Sequence, residues 1–174
     1  DRYMESLVSG LARRVTPYAW GVSVLEIDEE VLKVGQIALK SAAGLTPDGQ
    51  VFRIPGSEDH PPALEVPETI KDCIVYLSVP QRPQGALEVD MSGAELSSAR
   101  LRPAEVEVTD VTSTGKKAVT LGVGKMRLQF ALGVDDLADR LVIPIAKIIE
   151  VRPDNEVILD KSFIPSVMDV RAAP

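Results

Sequence analysis

The sequence predicts a mostly β fold, an antiparallel β-sandwich or barrel-like domain with one N-terminal α-helix. Three observations carry that reading. A single stretch of helical periodicity opens the chain. A long series of short apolar, β-branched runs follows, separated by Pro and Gly turn signals. Lys125–Leu132 then alternates strictly, placing Met126, Leu128, Phe130 and Leu132 on one face. One helix followed by many short strands is the pattern of a sandwich or barrel rather than of a parallel α/β sheet.

The elements follow in order. Tyr3, Met4, Leu7, Val8, Leu11, Ala12 and Val15 recur at helical spacing, so a helix is expected over about Tyr3 to Val15. Pro17 ends it, because the residue before a proline avoids helical geometry. Tyr18–Ile27 and Val31–Ala43 read as extended segments. Pro47-Asp48-Gly49 is a tight turn, Pro fixing φ and Gly accepting positive φ, and Val51–Ile54 pairs back from it. Pro55 to Pro67 is a polar, Pro-rich connection. Asp72–Pro80 is a strong strand and Gln81–Gly85 a further turn. Leu87–Met91 is a short strand, and Ser92 to Ser98 a loop. Ala104–Val111 and Lys125–Leu132 are strands, with Gly115, Gly122, Gly124 and Gly133 punctuating the stretch around them. Arg140–Val151 and Glu156–Leu159 form a hairpin across Pro153-Asp154-Asn155.

At 174 residues and 45% apolar composition, the chain can bury a real core as a single domain, with no second domain required and no internal repeat. No apolar run approaches the ~20 residues of a membrane helix, and the opening residues are not a signal peptide. The first residue is not Met, so the chain is expected to begin inside a longer protein. The formal charge of −7 comes from scattered carboxylates. It argues against nucleic acid, which requires clustered cations to displace counterions. The lone cysteine, Cys73, lies in an apolar strand-like run, which fits a buried thiol in a reducing compartment.

The residues that could carry chemistry each have a plainer reading. His60, the sole histidine, sits between Asp59 and Pro61 in the Pro-rich connection. It lacks ligand partners at useful spacing, and no Gly-x-Ser-x-Gly elbow is present. A solvated loop histidine is the better reading. Thr114-Gly115-Lys116-Lys117 lacks the opening glycine and the closing Ser or Thr of a phosphate loop. Gly122-Val123-Gly124 precedes strand-like alternation where a dinucleotide fingerprint needs a helix. Glu105 and Glu107 face the same way on a strand, as paired carboxylates of a glycosidase would, but fit a solvent face better. Tyr18 and Trp20 are the candidate partner-binding or packing anchors, because aromatic residues dominate interface hot spots. No catalytic, metal-binding or cofactor-binding residue is assigned, and no cofactor is expected.

Several segments, in this order and spacing, resemble one known family. These are Asp1-Arg-Tyr-Met-Glu-Ser-Leu, Pro17-Tyr-Ala-Trp-Gly-Val, Gly35-Gln-Ile-Ala-Leu, Pro47-Asp-Gly, Asp72-Cys-Ile-Val-Tyr-Leu-Ser-Val-Pro, Glu105-Val-Glu-Val-Thr-Asp and Lys161-Ser-Phe-Ile-Pro. Together they resemble the N-terminal shoulder of the TssK family, trimeric baseplate adaptors of type VI secretion systems. The family's opening segment, with a Trp, a Gly and a Pro-Gln-His-Phe run, is absent. So are its helical middle and C-terminal domains, and Ser166 stands where a second proline is commoner.

The resemblance implies a non-catalytic structural adaptor, cytoplasmic at the inner face of the inner membrane. It would dock baseplate wedge proteins of the TssF and TssG type. The full-length protein would be a homotrimer that reaches the membrane complex through regions outside this chain. It also implies an exit segment over about residues 161–174 leading to the helical part. The alternative is a ligand- or carbohydrate-binding β-sandwich resembling a phage receptor-binding module, which requires exposed aromatic platforms.

Overall fold

The computed structural model describes residues 10–11, 18–82, 88–91, 99–109 and 118–169. Gly10 and Leu11 are helical, and the rest of the expected opening helix lies outside the described residues, as does the loop at 92–98. Eleven strands and one short helix follow: β1 (Gly21–Ile27), α1 (Glu29–Leu32), β2 (Gln36–Ile37), β3 (Leu39–Leu45), β4 (Val51–Ile54), β5 (Leu64–Glu65), β6 (Lys71–Pro80), β7 (Leu101–Thr109), β8 (Ala118–Met126), β9 (Gln129–Leu132), β10 (Arg140–Val151) and β11 (Val157–Leu159). The expected class, mostly β with antiparallel sheets, is the class observed.

Two compact units divide the chain. One comprises the residues up to Val79 and those from Leu128 onward, and the other is Pro80–Arg127. The first unit holds a three-stranded sheet β1-β3-β4, a four-stranded sheet β11-β10-β6-β9 and the small pair β2-β5. Strand pleat selects its core. Phe52 and Ile54 alternate with the exposed Val51 and Arg53 on β4, and Cys73, Val75, Leu77 and Val79 line one face of β6. Val22, Ile37, Ile143, Ile145 and Ile148 complete it, all at 2% exposure or less. Burying such aliphatic side chains is worth ~1.5–3 kcal/mol each against leaving them in water.

Irregularities in the strands explain where alternation breaks. The β1–β3 register pairs Glu26 with Ser41 but Ile27 with Leu39, skipping Lys40. The skip switches the buried set from the odd positions Ile37 and Leu39 to the even positions Ala42 and Gly44. On β10 the shift between Ile148 and Glu150 leaves Ile149 outside the ladder and exposed, and returns Val151 to the core.

Two expected segments are corrected. Val31–Ala43 is not continuously extended. Asp28 caps α1 by accepting from the Glu30 N–H, with Glu29 and Glu30 favourably placed in its first turn. Positive φ at Gly35 then turns the chain into β2. Lys125–Leu132 is likewise two strands. The Arg127 N–H donates to the Arg100 carbonyl at 2.9 Å, and Arg127 and Leu128 stand outside both ladders. The Pro47-Asp48-Gly49 turn is present, with Gly49 at φ +89° and its N–H donating to the Thr46 carbonyl. The β10–β11 hairpin closes as expected, with the Asn155 N–H donating to the Arg152 carbonyl.

The second unit is built on the β7–β8 ribbon, paired from Leu101↔Met126 to Thr109↔Ala118. The segment read as glycine-punctuated is mostly this second strand. Arg100, 1% exposed, donates from Nη1 to the Pro80 carbonyl at 3.0 Å. Of the expected short strand at Leu87–Met91, Leu87 lies outside the described residues, and residues 88–91 make a parallel bridge between Val89 and Leu101.

Glycine substitutions separate tight from open positions. A Cβ on Gly44 would run into the Gly21 carbonyl, whereas one on Gly122 meets nothing within 4 Å. Gly44→Ala is expected to cost ~1–3 kcal/mol, as overpacking does, and Gly122→Ala to lie within ~0.5 kcal/mol of the parent. Urea unfolding of the two variants checks the contrast.

Candidate docking surface

The chain reaches β1 through Tyr18, Ala19 and Trp20, where the Trp20 N–H donates to the Tyr18 carbonyl at 2.8 Å. Tyr18 is 80% exposed and Trp20 half-buried. Val22, fully buried, pairs in parallel with Val167. The Val22 N–H donates to the Ser166 carbonyl at 2.8 Å and the Met168 N–H to the Val22 carbonyl at 2.9 Å. The start of β1, two residues after Trp20, is thereby stitched to the exit segment, which presents Ile164 at 73% exposure and Met168 at 44%. Tyr18, Ile164 and Met168 are the large apolar side chains that these two segments leave exposed.

The exit segment is turned by Asp160. Its Oδ1 accepts from the Ser162 N–H at 2.8 Å and from the Ser162 hydroxyl at 2.6 Å, holding the carboxyl below the usual carboxylate range. Beside it, Lys147 Nζ lies 2.6 Å from Asp72 Oδ1, and the hydrogen bond to Asp72 raises the lysine pKa. Both pairs are exposed to solvent and screened, so they set local geometry more than stability.

One polar network was not visible in the sequence. Arg140, at the start of β10, donates from Nε to Ser78 Oγ on β6 and from Nη2 to Gln129 Oε1 on β9, each at 2.9 Å. Burial lowers the guanidinium pKa, yet an arginine starts so high that it stays charged. Two neutral acceptors on neighbouring strands thus hold one cation and cross-link three strands. Only the spacing of Ser78, Gln129 and Arg140 in the folded sheet reveals it.

The candidates for chemistry scatter. His60 is exposed, and its Nε2 contacts the Lys40 carbonyl at 3.2 Å. Cys73 is a buried free thiol whose Sγ lies 3.6 Å from the Ile74 carbonyl. Glu105 and Glu107 are exposed on β7, opposite Gly122 and Thr120, and Gly122 and Gly124 lie in a strand rather than before a helix. Among the described residues no group of His, Cys, Asp and Glu could hold a metal ion, and no helix is long and apolar enough to cross a membrane. A sugar platform needs broad aromatic exposure, and of the two expected anchors Tyr18 alone stands open.

This arrangement of sheets is shared with solved components of the type VI secretion baseplate. A crystal structure of TssK superposes with a TM-score of 0.91 at 27% identity, covering 99% of this chain and 39% of that one. A TssK-TssF-TssG baseplate subcomplex seen by cryo-electron microscopy matches in fold, with a TM-score of 0.88 at 18% identity over 99% of this chain and 57% of that one. The chain belongs to the family described as "Bacterial Type VI secretion, VC_A0110, EvfL, ImpJ, VasE", whose model matches residues 1–174. It is 33% identical over its whole length to the type VI secretion system baseplate component TssK1 of Pseudomonas aeruginosa, and spans 39% of that relative.

The Asp160–Ser162 pair gives a direct pH test. A depressed folded-state pKa contributes stability above the ordinary carboxylate range, and that contribution fades as pH falls through the folded value. Ser162→Ala should move the Asp160 titration upward, toward ordinary carboxylates, as read by NMR of its side-chain carboxyl.

Proposed function

We propose that this chain is a passive docking domain of a type VI secretion baseplate adaptor, holding wedge subunits of the TssF and TssG type and catalysing no reaction. The observation that carries this reading is the family match across all 174 residues, joined to 33% identity with a named baseplate component. The likeness in fold to a chain of the TssK-TssF-TssG subcomplex supports the choice of partners. Tyr18 and Trp20 serve as anchors on the contact surface, backed by the exit segment through Val22 and Val167. The full-length protein works in the cytoplasm as a homotrimer, and its remaining length reaches the membrane complex.

Capture experiments test it. The chain, immobilised, should retain purified TssF–TssG at micromolar concentration. Tyr18→Ala should weaken retention by about tenfold, the effect of ~1.4 kcal/mol, with the circular dichroism spectrum unchanged. A folded chain that retains neither subunit overturns the docking role.

A further inference from the structure

We propose that the outer edge of β8 accepts an extended segment of a partner protein as a third strand, and that this segment alternates aliphatic with basic residues. The inference rests on the docking role above and assigns it a place and a chemistry.

The β7–β8 ribbon has two strands, and among the described residues β8 is paired with β7 alone. A two-stranded ribbon is marginal in water and gains from a third strand or a covering layer. Its two long edges differ in kind. β7 carries Pro103, which has no N–H to offer, and the charged Glu105 and Glu107. Such residues guard natural strand edges against unwanted pairing. β8 runs Ala118-Val-Thr-Leu-Gly-Val-Gly124 without a charge or a proline, and every one of those residues is exposed. Alternate N–H and C=O groups along it point away from β7. An unguarded edge of this length is the template that strand addition uses.

The two faces of the ribbon specify the guest. Cross-strand pairs Ala104↔Val123, Val106↔Leu121 and Val108↔Val119 put six aliphatic side chains on one face. Val119, Leu121 and Val123 remain 50%, 48% and 38% exposed. A guest strand extends this face with Val, Ile or Leu at every second position. On the other face, Glu105 lies opposite Gly122 and Glu107 opposite Thr120. The space above Gly122 is open, with nothing within 4 Å of a Cβ built there. A long Lys or Arg side chain from the guest can lie across Gly122 and reach the carboxylate of Glu105. An acidic guest would meet like charge instead.

Hydrogen–deuterium exchange on the whole chain, with and without purified TssF–TssG, tests the assignment. Amides of residues 118–124 should exchange at least about tenfold more slowly in the complex. The exposed double variant Glu105→Lys/Glu107→Lys should bind about tenfold more weakly while β6 keeps its protection. Binding without protection of β8 overturns the edge proposal and leaves the docking role standing. Absence of binding overturns both. Protection that grows with the chain's own concentration, without TssF–TssG, assigns the edge to a second copy and overturns the partner. Unchanged affinity in the charge-reversed variant overturns the basic guest.

Discussion

The structure of the first unit depends on one close approach of backbone to backbone. Gly21 and Gly44 lie at the end of the β1–β3 ladder, where Gly21 pairs with Leu45 and Val22 with Gly44. A side chain on Gly44 would occupy the place of the Gly21 carbonyl, and one on Gly21 that of the Ser166 carbonyl. Gly21 also sits at φ +126°, where an L side chain is strained. Without side chains there, β1 can be shared by two neighbours, β3 on one edge and the Ser166–Met168 segment on the other. Segments far apart in the chain meet at one buried valine, Val22. The lead-in with Tyr18 and Trp20 and the exit segment with Ile164 and Met168 are both positioned by this crossing. The placing of these exposed side chains is therefore a consequence of packing geometry.

Polar groups in this unit serve the same end. The Arg140 guanidinium, half-buried and bonded to Ser78 and Gln129, ties the first residue of β10 to β6 and β9. Removing either acceptor would leave a partly desolvated charge short of a hydrogen bond, which costs more than the bond is worth when made. Such a network fixes register at the end of a sheet, where pleat alone is permissive. A body that presents a fixed surface benefits from this kind of rigidity, because ordering its side chains on binding then costs little.

Much of this was legible in the residues, and the rest was hidden for identifiable reasons. Val51–Ile54, β6 and the Pro47-Asp48-Gly49 turn were read correctly, because alternation and turn chemistry are local signals. α1 was missed although Asp28 is a good cap, since four helical residues give no periodicity to detect. The break at Arg127 was invisible. Met126, Leu128, Phe130 and Leu132 alternate without interruption in the sequence, whereas in the structure a backbone bond to Arg100 takes the chain out of the ladder and Arg127 and Ala131 are buried as well. β8 was hidden by Gly122 and Gly124, which read as punctuation, yet both lie inside the strand. Tyr18 and Trp20 were singled out as aromatics beside a strand. The pairing of the nearby Val22 with Val167 is a long-range contact that no local pattern encodes.

The distribution of charge completes the account of selectivity. A net charge of −7 spread over a small body makes chance association with similar acidic surfaces unfavourable. Repulsion of that kind acts everywhere except where the surface carries no charge. Tyr18, Ala19 and Trp20 before β1, and residues 118–124 of β8, carry no charged side chain of their own. Under the proposed docking role, specificity follows from a difference between regions: acidic surface rejects most approaches, and an uncharged strand edge flanked by Glu105 and Glu107 accepts a guest whose aliphatic and basic pattern fits. Discrimination under that role requires no cleft, because it is carried by which strand edges are guarded and which are left open.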